Sequence, residues 1–152
     1  MEDKSMEHML IDSFGRTTNN LRVSVTDQCN FRCIYCMPEE GMVFQPKEEI
    51  LTFEEITRVI RIVSTLGISK IRLTGGEPTV RKDLPVLISM ISEIPGIKDM
   101  AMTTNGFFLK KMARGLREAG FPRINVSLDT LDEEKFKQMT RRDVLHKVIE
   151  GL

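Results

Sequence analysis

Short runs rich in β-branched residues alternate along this chain with longer amphipathic stretches. This alternation predicts βα units, in which a helix follows each strand and the strands pair in parallel. The predicted strands are residues 21–26, 70–74, 99–103 and 123–128. The sequence therefore predicts an α/β fold with one parallel sheet and the helices on its outside.

The stretches between the predicted strands carry helix start and stop signals. Thr52 and Glu55 form a capping box that begins the first helix, and Gly67 ends that helix. Thr130 and Glu133 form a second capping box before a short helix. A last helix is predicted from about residue 143, and its apolar residues keep helical spacing to the final residue.

The predicted strands alternate apolar and polar residues, whereas parallel strands covered by helices on both faces are usually apolar throughout. Arg22, Ser24 and Thr26 alternate with apolar residues in the first strand, and Asn125 and Ser127 do so in the fourth. Since the apolar set can pack under the helices, the polar set must share the other face. We favour a curved sheet whose polar face lines a ligand-holding lumen over an antiparallel sheet with one solvated side.

Three cysteines, Cys29, Cys33 and Cys36, fall within eight positions with the spacing C-x-x-x-C-x-x-C. Three thiolates on one loop can hold three corners of a 4Fe–4S cluster and leave the fourth iron open for chemistry. A disulfide framework is disfavoured because the cysteine count is odd. A zinc site would need a fourth ligand, and the only histidines, His8 and His146, are remote in sequence.

Composition and charge limit the classes of partner. The 152 residues have the length of one ordinary domain, and Lys+Arg and Asp+Glu are equal at 22 each, so nothing marks a nucleic-acid or membrane surface. No apolar run approaches the length of a membrane span. Glu2, Asp3 and Glu7 make the N-terminus too acidic for a transit peptide. A reducing cytoplasm is the expected location, and it suits thiolate ligands.

The cysteine spacing, with an aromatic residue before the last cysteine, resembles that of the radical S-adenosylmethionine (SAM) superfamily. One βα unit later, Gly75-Gly76-Glu77-Pro78 matches the motif that contacts the SAM amino group in that superfamily. The resemblance implies a 4Fe–4S cluster whose open iron chelates SAM. It also implies an electron donor, because an electron passed through the cluster cleaves SAM to a 5′-deoxyadenosyl radical.

Several ordered blocks more specifically resemble the molybdenum-cofactor GTP 3′,8-cyclases, and they cover nearly the whole chain from Asp12 onward. They include residues 12–16, 21–27, 29–41, 70–78, 103–106 and 123–130. Enzymes of this family use the radical to abstract a ribose hydrogen from GTP, after which a bond forms to guanine C8. They are lyases that produce a cyclic nucleotide precursor of molybdopterin.

The resemblance implies a role for individual residues of this chain. The cluster ligands would be Cys29, Cys33 and Cys36. The SAM contacts would be Tyr35, Gly76 and Ser127, with Glu77 and Asn105 nearby. The residues facing GTP would be Arg22, Arg72 and Thr103, with Lys70 as a further candidate. The pair Arg141-Arg142 is interpreted as part of a solvated face.

The expected organisation is a lead-in segment, residues 1–20, followed by a partial (β/α) barrel of the radical SAM type, residues 21–152. It has about four βα units of an expected six, because the family continues through further strands to a second three-cysteine cluster. The chain is therefore interpreted as the cluster and SAM half of a GTP cyclase. The alternatives are a radical SAM enzyme with another substrate, and a non-catalytic metal-binding or interaction module, such as a homodimer through the open sheet edges.

Overall fold

A computed structural model describes residues 9–152 of the chain. Glu2, Asp3, Glu7 and His8 lie outside the described residues. Within them, four strands form one sheet in the order β1-β2-β3-β4, and every neighbouring pair is parallel. The strands are β1 Asn20–Ser24, β2 Lys70–Thr74, β3 Asp99–Thr104 and β4 Arg123–Val126. The predicted α/β class is confirmed, and the sheet is open at β1 and β4, as a partial barrel requires.

Helices connect the strands as the sequence pattern predicts. In the described part of the chain they are α1 Phe53–Ser64, α2 Leu84–Ser92, α3 Leu109–Glu118, α4 Glu133–Thr140 and α5 Leu145–Ile149. The capping box at the start of α1 is confirmed, because Thr52 Oγ1 accepts from the Glu55 N–H at 3.2 Å and Glu55 Oε2 accepts from the Thr52 N–H at 2.8 Å. Among residues 9–152, no helix has the length and apolar character needed to cross a bilayer.

The main core lies between the helices and the apolar face of the sheet. Ile71 and Leu73 of β2 are at most 1% exposed, since β2 is a central strand with helices packed above it. The helical side of this core includes Ile56, Ile60, Leu84, Leu87, Ile88, Ile91 and Leu116. The alternation seen in the sequence is realised along β1 and β4, with Arg22, Ser24, Asn125 and Ser127 exposed. The prediction for Thr26 is wrong, because β1 ends at Ser24 and the loop after β2 packs against Thr26, which is buried.

A second, smaller core joins the end of the chain to the segment after β1. Phe31, from the loop that carries the cysteines, packs with Phe136 of α4 and with Leu145 and Val148 of α5. The Phe31 and Phe136 rings meet edge to face with their centroids 5.9 Å apart. The last two helices therefore pack beside the cysteine-bearing loop.

Two helix predictions near the end of the chain are wrong in detail. The N-cap of α4 is Asp132, whose carboxylate accepts from the Lys135 N–H at 3.0 Å. Thr130 Oγ1 instead accepts from the Asp132 N–H at 3.1 Å, in a local turn, because Thr130 lies two residues before the N-cap. The last helix, α5, runs only over Leu145–Ile149, and residues 150–151 form a turn.

Candidate functional site

A cavity of about 340 Å³ lies at the carboxyl ends of the strands and is lined by residues that follow all four of them. This is the edge at which open α/β sheets and barrels bind ligands, because the loops there converge. All the predicted site residues except Arg22, Lys70 and Arg72 line this cavity. Those that do are Cys29, Cys33, Tyr35, Cys36, Gly76, Glu77, Thr103, Asn105 and Ser127.

The three cysteines approach the cavity from one loop, residues 29–37, which we call the cysteine loop. All three thiols are free, Cys29 and Cys33 are partly buried and Cys36 is exposed. Burial raises the pKa of the Cys29 and Cys33 thiols above the ordinary thiol value. The Phe31 N–H donates to Cys29 Sγ at 3.4 Å, so this sulfur already has a hydrogen-bond donor of the kind that surrounds metal-bound thiolates.

The donor set suits a cluster better than a single metal ion. Within residues 9–152, no three Cys, His, Asp or Glu side chains are grouped closely enough to hold one ion. A zinc ion draws all its sulfur ligands to within about 2.3 Å of one centre, whereas an iron–sulfur cluster spreads its thiolate ligands over several irons. Three soft thiols spaced around one cavity therefore fit a cluster.

The loop after β2, residues 75–78, lies directly against the segment that leads into the cysteine loop. The Gly76 N–H donates to Thr26 O and the Glu77 N–H donates to Gln28 O, both at 2.8 Å. A Cβ added at Gly75 would lie 2.3 Å from Thr26 O, and one added at Gly76 would lie 2.3 Å from Gln28 O. Only glycine permits this approach, which explains the Gly-Gly pair.

Glu77 is 2% exposed, although it faces the cavity. Its Oε1 accepts from Thr79 Oγ1 at 2.5 Å, from the Thr79 N–H at 3.1 Å and from Thr104 Oγ1 at 2.6 Å. Its Oε2 accepts from the Asn105 N–H at 2.6 Å. The carboxylate thus joins the loops after β2 and β3, and Oε2 keeps one lone pair free for a further donor.

Tyr35 and Asn105 are both held by partners in other parts of the fold. The Tyr35 hydroxyl donates to Asp129 Oδ2 at 2.5 Å, which ties the cysteine loop to the end of β4. This bond to a carboxylate, followed by burial, raises the pKa of Tyr35 well above its usual value. The Asn105 amide donates to Asn30 Oδ1 at 2.8 Å and accepts from the Phe107 N–H at 3.1 Å. Asp129 lines the cavity as well.

The three predicted residues outside the cavity lie further down the polar face of the sheet. Arg22 and Arg72 are register partners on β1 and β2, so both guanidiniums project from the same face. Arg72 Nη2 donates to Asp99 Oδ2 at 2.9 Å, and Arg123 Nη2 donates to the same oxygen at 2.7 Å. Lys70 is exposed at the start of β2. Sequence reasoning assigned no role to Asp99, which lies in no motif, or to Arg123, which only begins the block 123–130.

The interpretation of Arg141-Arg142 as a solvated face holds only in part, because Arg142 is exposed but both guanidiniums also bind backbone carbonyls of the cysteine loop. Arg141 Nη1 donates to Arg32 O at 3.3 Å and to Met37 O at 3.2 Å. Arg142 Nε donates to Asn30 O at 2.9 Å. All three acceptors belong to the cysteine loop, more than 100 residues away in the sequence. No local pattern predicts such a contact, because only the packing of α4 beside the loop brings the groups together.

Comparisons with known proteins agree with this geometry. The family model described as "Radical SAM superfamily" matches residues 23–152. The chain is 53% identical over 144 residues to a protein of Campylobacter jejuni named GTP 3′,8-cyclase, and 50% identical over 141 residues to one of Alkaliphilus metalliredigens with the same name. These matches cover 95% and 93% of this chain but only 45% and 44% of the relatives, so the chain spans about half their length.

A structural comparison supports the same fold. The crystal structure of Streptococcus suis SuiB bound to S-adenosylmethionine superposes with a TM-score of 0.64 and 24% sequence identity, covering 86% of this chain and 30% of that one. The radical SAM superfamily uses a 4Fe–4S cluster together with SAM. The family match over most of the chain, on an open parallel βα sheet with three thiols at its carboxyl edge, establishes that this chain belongs to the radical SAM superfamily.

Proposed function

We propose that this chain is the cluster- and SAM-binding part of a GTP 3′,8-cyclase, a lyase of molybdenum cofactor biosynthesis. The observation that carries the proposal is the cavity in which three free thiols meet the loop with residues 75–78. Relatives named GTP 3′,8-cyclase at 50–53% identity, over nearly all of this chain, supply the choice of activity within the superfamily.

Cys29, Cys33 and Cys36 would hold a 4Fe–4S cluster through their thiolates. When bound, the cluster supplies the electron that cleaves SAM to a 5′-deoxyadenosyl radical. Because burial raises the pKa of Cys29 and Cys33, these thiols must lose their protons as the cluster binds.

The SAM contacts would come from the rim of the same cavity. Gly76 lines the cavity, so its backbone would offer SAM a contact there, on the side away from Gln28 O. Glu77 Oε2 has a lone pair left for the SAM ammonium, while its other bonds hold the carboxylate in place. Ser127 is exposed in the cavity with a free hydroxyl, and Tyr35 is positioned there by Asp129. Asn105 would contribute by positioning, since its amide already binds Asn30 and Phe107.

GTP would lie across the polar face of the sheet, next to SAM. Arg22 and Arg72 present two neighbouring guanidiniums, which suit phosphate oxygens because they donate in pairs. Thr103 links this face to the cavity, since it lines the cavity from the end of β3. Lys70 would add a further positive charge at the start of β2. In this proposal the ribose of GTP would lie between the polar face and the cavity, where Thr103 lines the cavity wall.

The proposed cluster would require an electron donor. A cytoplasmic location follows from the need to keep three thiols reduced. The open edges at β1 and β4 would accept a second copy of the chain, or part of the length that the relatives have beyond the region matched here.

The test is anaerobic reconstitution with iron and sulfide, followed by reduction in the presence of SAM and GTP. Mass spectrometry then measures 5′-deoxyadenosine and the cyclised nucleotide. Because the chain spans about 45% of its relatives, we expect deoxyadenosine with little or no cyclised nucleotide. Cys33→Ser is the control and should abolish deoxyadenosine. A chain that binds iron and sulfide but never cleaves SAM, or that prefers a single zinc ion, would contradict the proposal.

A further inference from the structure

The end of α4 is joined to the cysteine loop through both main chain and side chains. The Arg32 N–H donates to Thr140 O at 3.1 Å, and the Ile34 N–H donates to Met139 O at 2.9 Å. These acceptors are carbonyls of the last turn of α4, which have no partner within the helix. The cysteine loop therefore supplies hydrogen-bond donors to the last carbonyls of α4, and these carbonyls in turn hold two amides of the loop.

Arg141 and Arg142 add three bonds in the opposite direction, from guanidinium to loop carbonyl. They bind the carbonyls of Asn30, Arg32 and Met37 at 2.9, 3.3 and 3.2 Å respectively. The cysteine loop contains no helix or strand, so its carbonyls depend on such partners. The acceptors lie between Cys29 and Cys33 and just after Cys36, where a backbone shift would move a thiol.

The backbone of Arg141 supports a role for its side chain. Arg141 is the C-cap of α4 and has φ +54°, the left-handed conformation in which glycine or asparagine is usual. An arginine in this conformation lowers local stability relative to glycine. The position therefore combines a strained backbone with a side chain that reaches the loop, and such strain often marks a functional residue.

We propose that Arg141 and Arg142 are positioning residues that hold the cysteine loop in the shape that binds the cluster. Neither arginine lines the cavity, and both act through the carbonyls of the loop. The assignment of the cluster itself rests on the proposed function, whereas the effect of the two arginines on the loop does not. Replacing either guanidinium should free the loop without weakening the sheet, because neither side chain belongs to the main core.

The test compares Arg141→Gly and Arg142→Gln with the parent chain and with Asp83→Gly. Asp83 is the matched control, since it has φ +59°, is exposed and lies at the start of α2, where its side chain makes no capping hydrogen bond. The first measurement is amide hydrogen exchange of Arg32 and Ile34 in the metal-free chain. The second is the rate at which a chelator removes iron from the reconstituted chain, and the third is stability to urea.

We expect Arg141→Gly to be at least as stable to urea as the parent, because glycine relieves the left-handed strain. The amide exchange rates of Arg32 and Ile34 should nevertheless rise about tenfold, because the loop loses hydrogen bonds from a charged donor. The rate of iron loss should rise by a similar factor. Arg142→Gln should show the same change in the same direction, and Asp83→Gly should leave both rates at the parent values.

Parent-like exchange and iron loss in both arginine variants would overturn the inference. So would an equal rise in Asp83→Gly, or a rise spread over the whole sheet, because either would indicate general destabilisation. If even the parent chain takes up no cluster, the proposed function fails, and the exchange measurement still decides whether the two arginines hold the loop.

Discussion

Replacing Gly76 by alanine tests the close contact between the loop after β2 and the segment before the cysteine loop. An alanine Cβ at this position would lie 2.3 Å from Gln28 O and 2.6 Å from both Asp27 O and Gln28 C. These neighbours are backbone atoms, so no side chain can rotate away. The two segments must therefore move apart, which puts at risk the bonds from the Gly76 and Glu77 amides to Thr26 O and Gln28 O.

The expected cost follows from these contacts. Forcing one carbon into a closely packed site costs about 1–3 kcal/mol. Loss of one or both hydrogen bonds adds about 1 kcal/mol each. We therefore expect Gly76→Ala to lower the free energy of unfolding by about 2–5 kcal/mol. The Glu77 carboxylate would shift with the loop, so the same variant should also weaken SAM binding.

The matched control is Gly115→Ala in the middle of α3. The added Cβ would lie 3.7 Å from Pro85 Cγ, which is an ordinary van der Waals contact, and Gly115 has no positive φ. Alanine should therefore stabilise α3 by about 0.5–1 kcal/mol. Urea unfolding of the metal-free chain, followed by circular dichroism and extrapolated linearly, measures both variants. Gly76→Ala within about 0.5 kcal/mol of the parent would refute the close-packing argument.

Three further predictions test single contacts. Thr52→Ala should lower the free energy of unfolding by about 1 kcal/mol, measured by urea denaturation, because α1 loses the side chain that caps it. Thr104→Val removes a donor from buried Glu77 and should cost about 1–3 kcal/mol in the same assay, with Thr104→Ser retaining most of the stability. Tyr35 is the only tyrosine and there is no tryptophan, so ultraviolet titration reports it alone. Its phenolate should form at a higher pH than in a free peptide, and Asp129→Asn should bring the pKa down, whereas an ordinary pKa in the parent would contradict the bond.

Local patterns predicted most of the fold. The strand Lys70–Thr74 and the capping box at Thr52 appear where the sequence places them, because alternation and capping depend on neighbours within a few residues. The wrong prediction of Thr130 as the N-cap has the same local origin, because Thr130 and Asp132 both offer an oxygen to nearby amides. The helix begins after Asp132, which can reach the Lys135 N–H.

Sequence motifs predicted which residues form the candidate site, but not the contacts that hold those residues. Motif spacing predicted that the cysteines and residues 75–78 lie at one edge of the sheet, and the structure places them around one cavity. The partners of Glu77 on β3 and the bond from Tyr35 to Asp129 depend on contacts between residues 27–94 positions apart. Nothing in a local pattern identifies them.

The sequence by itself determined the βα repeat, the three thiols on one loop and the position of the glycine pair one βα unit later, whereas only the structure showed that this pair lets two segments touch. The tertiary structure alone decided that Glu77 is buried among four donors and that Arg141 and Arg142 bind the cysteine loop. The physical reason is that secondary structure is chosen by short-range hydrogen bonding and side-chain periodicity, which the order of residues records. The partner of a buried carboxylate or a guanidinium is chosen by packing between distant segments, which only the folded chain brings together.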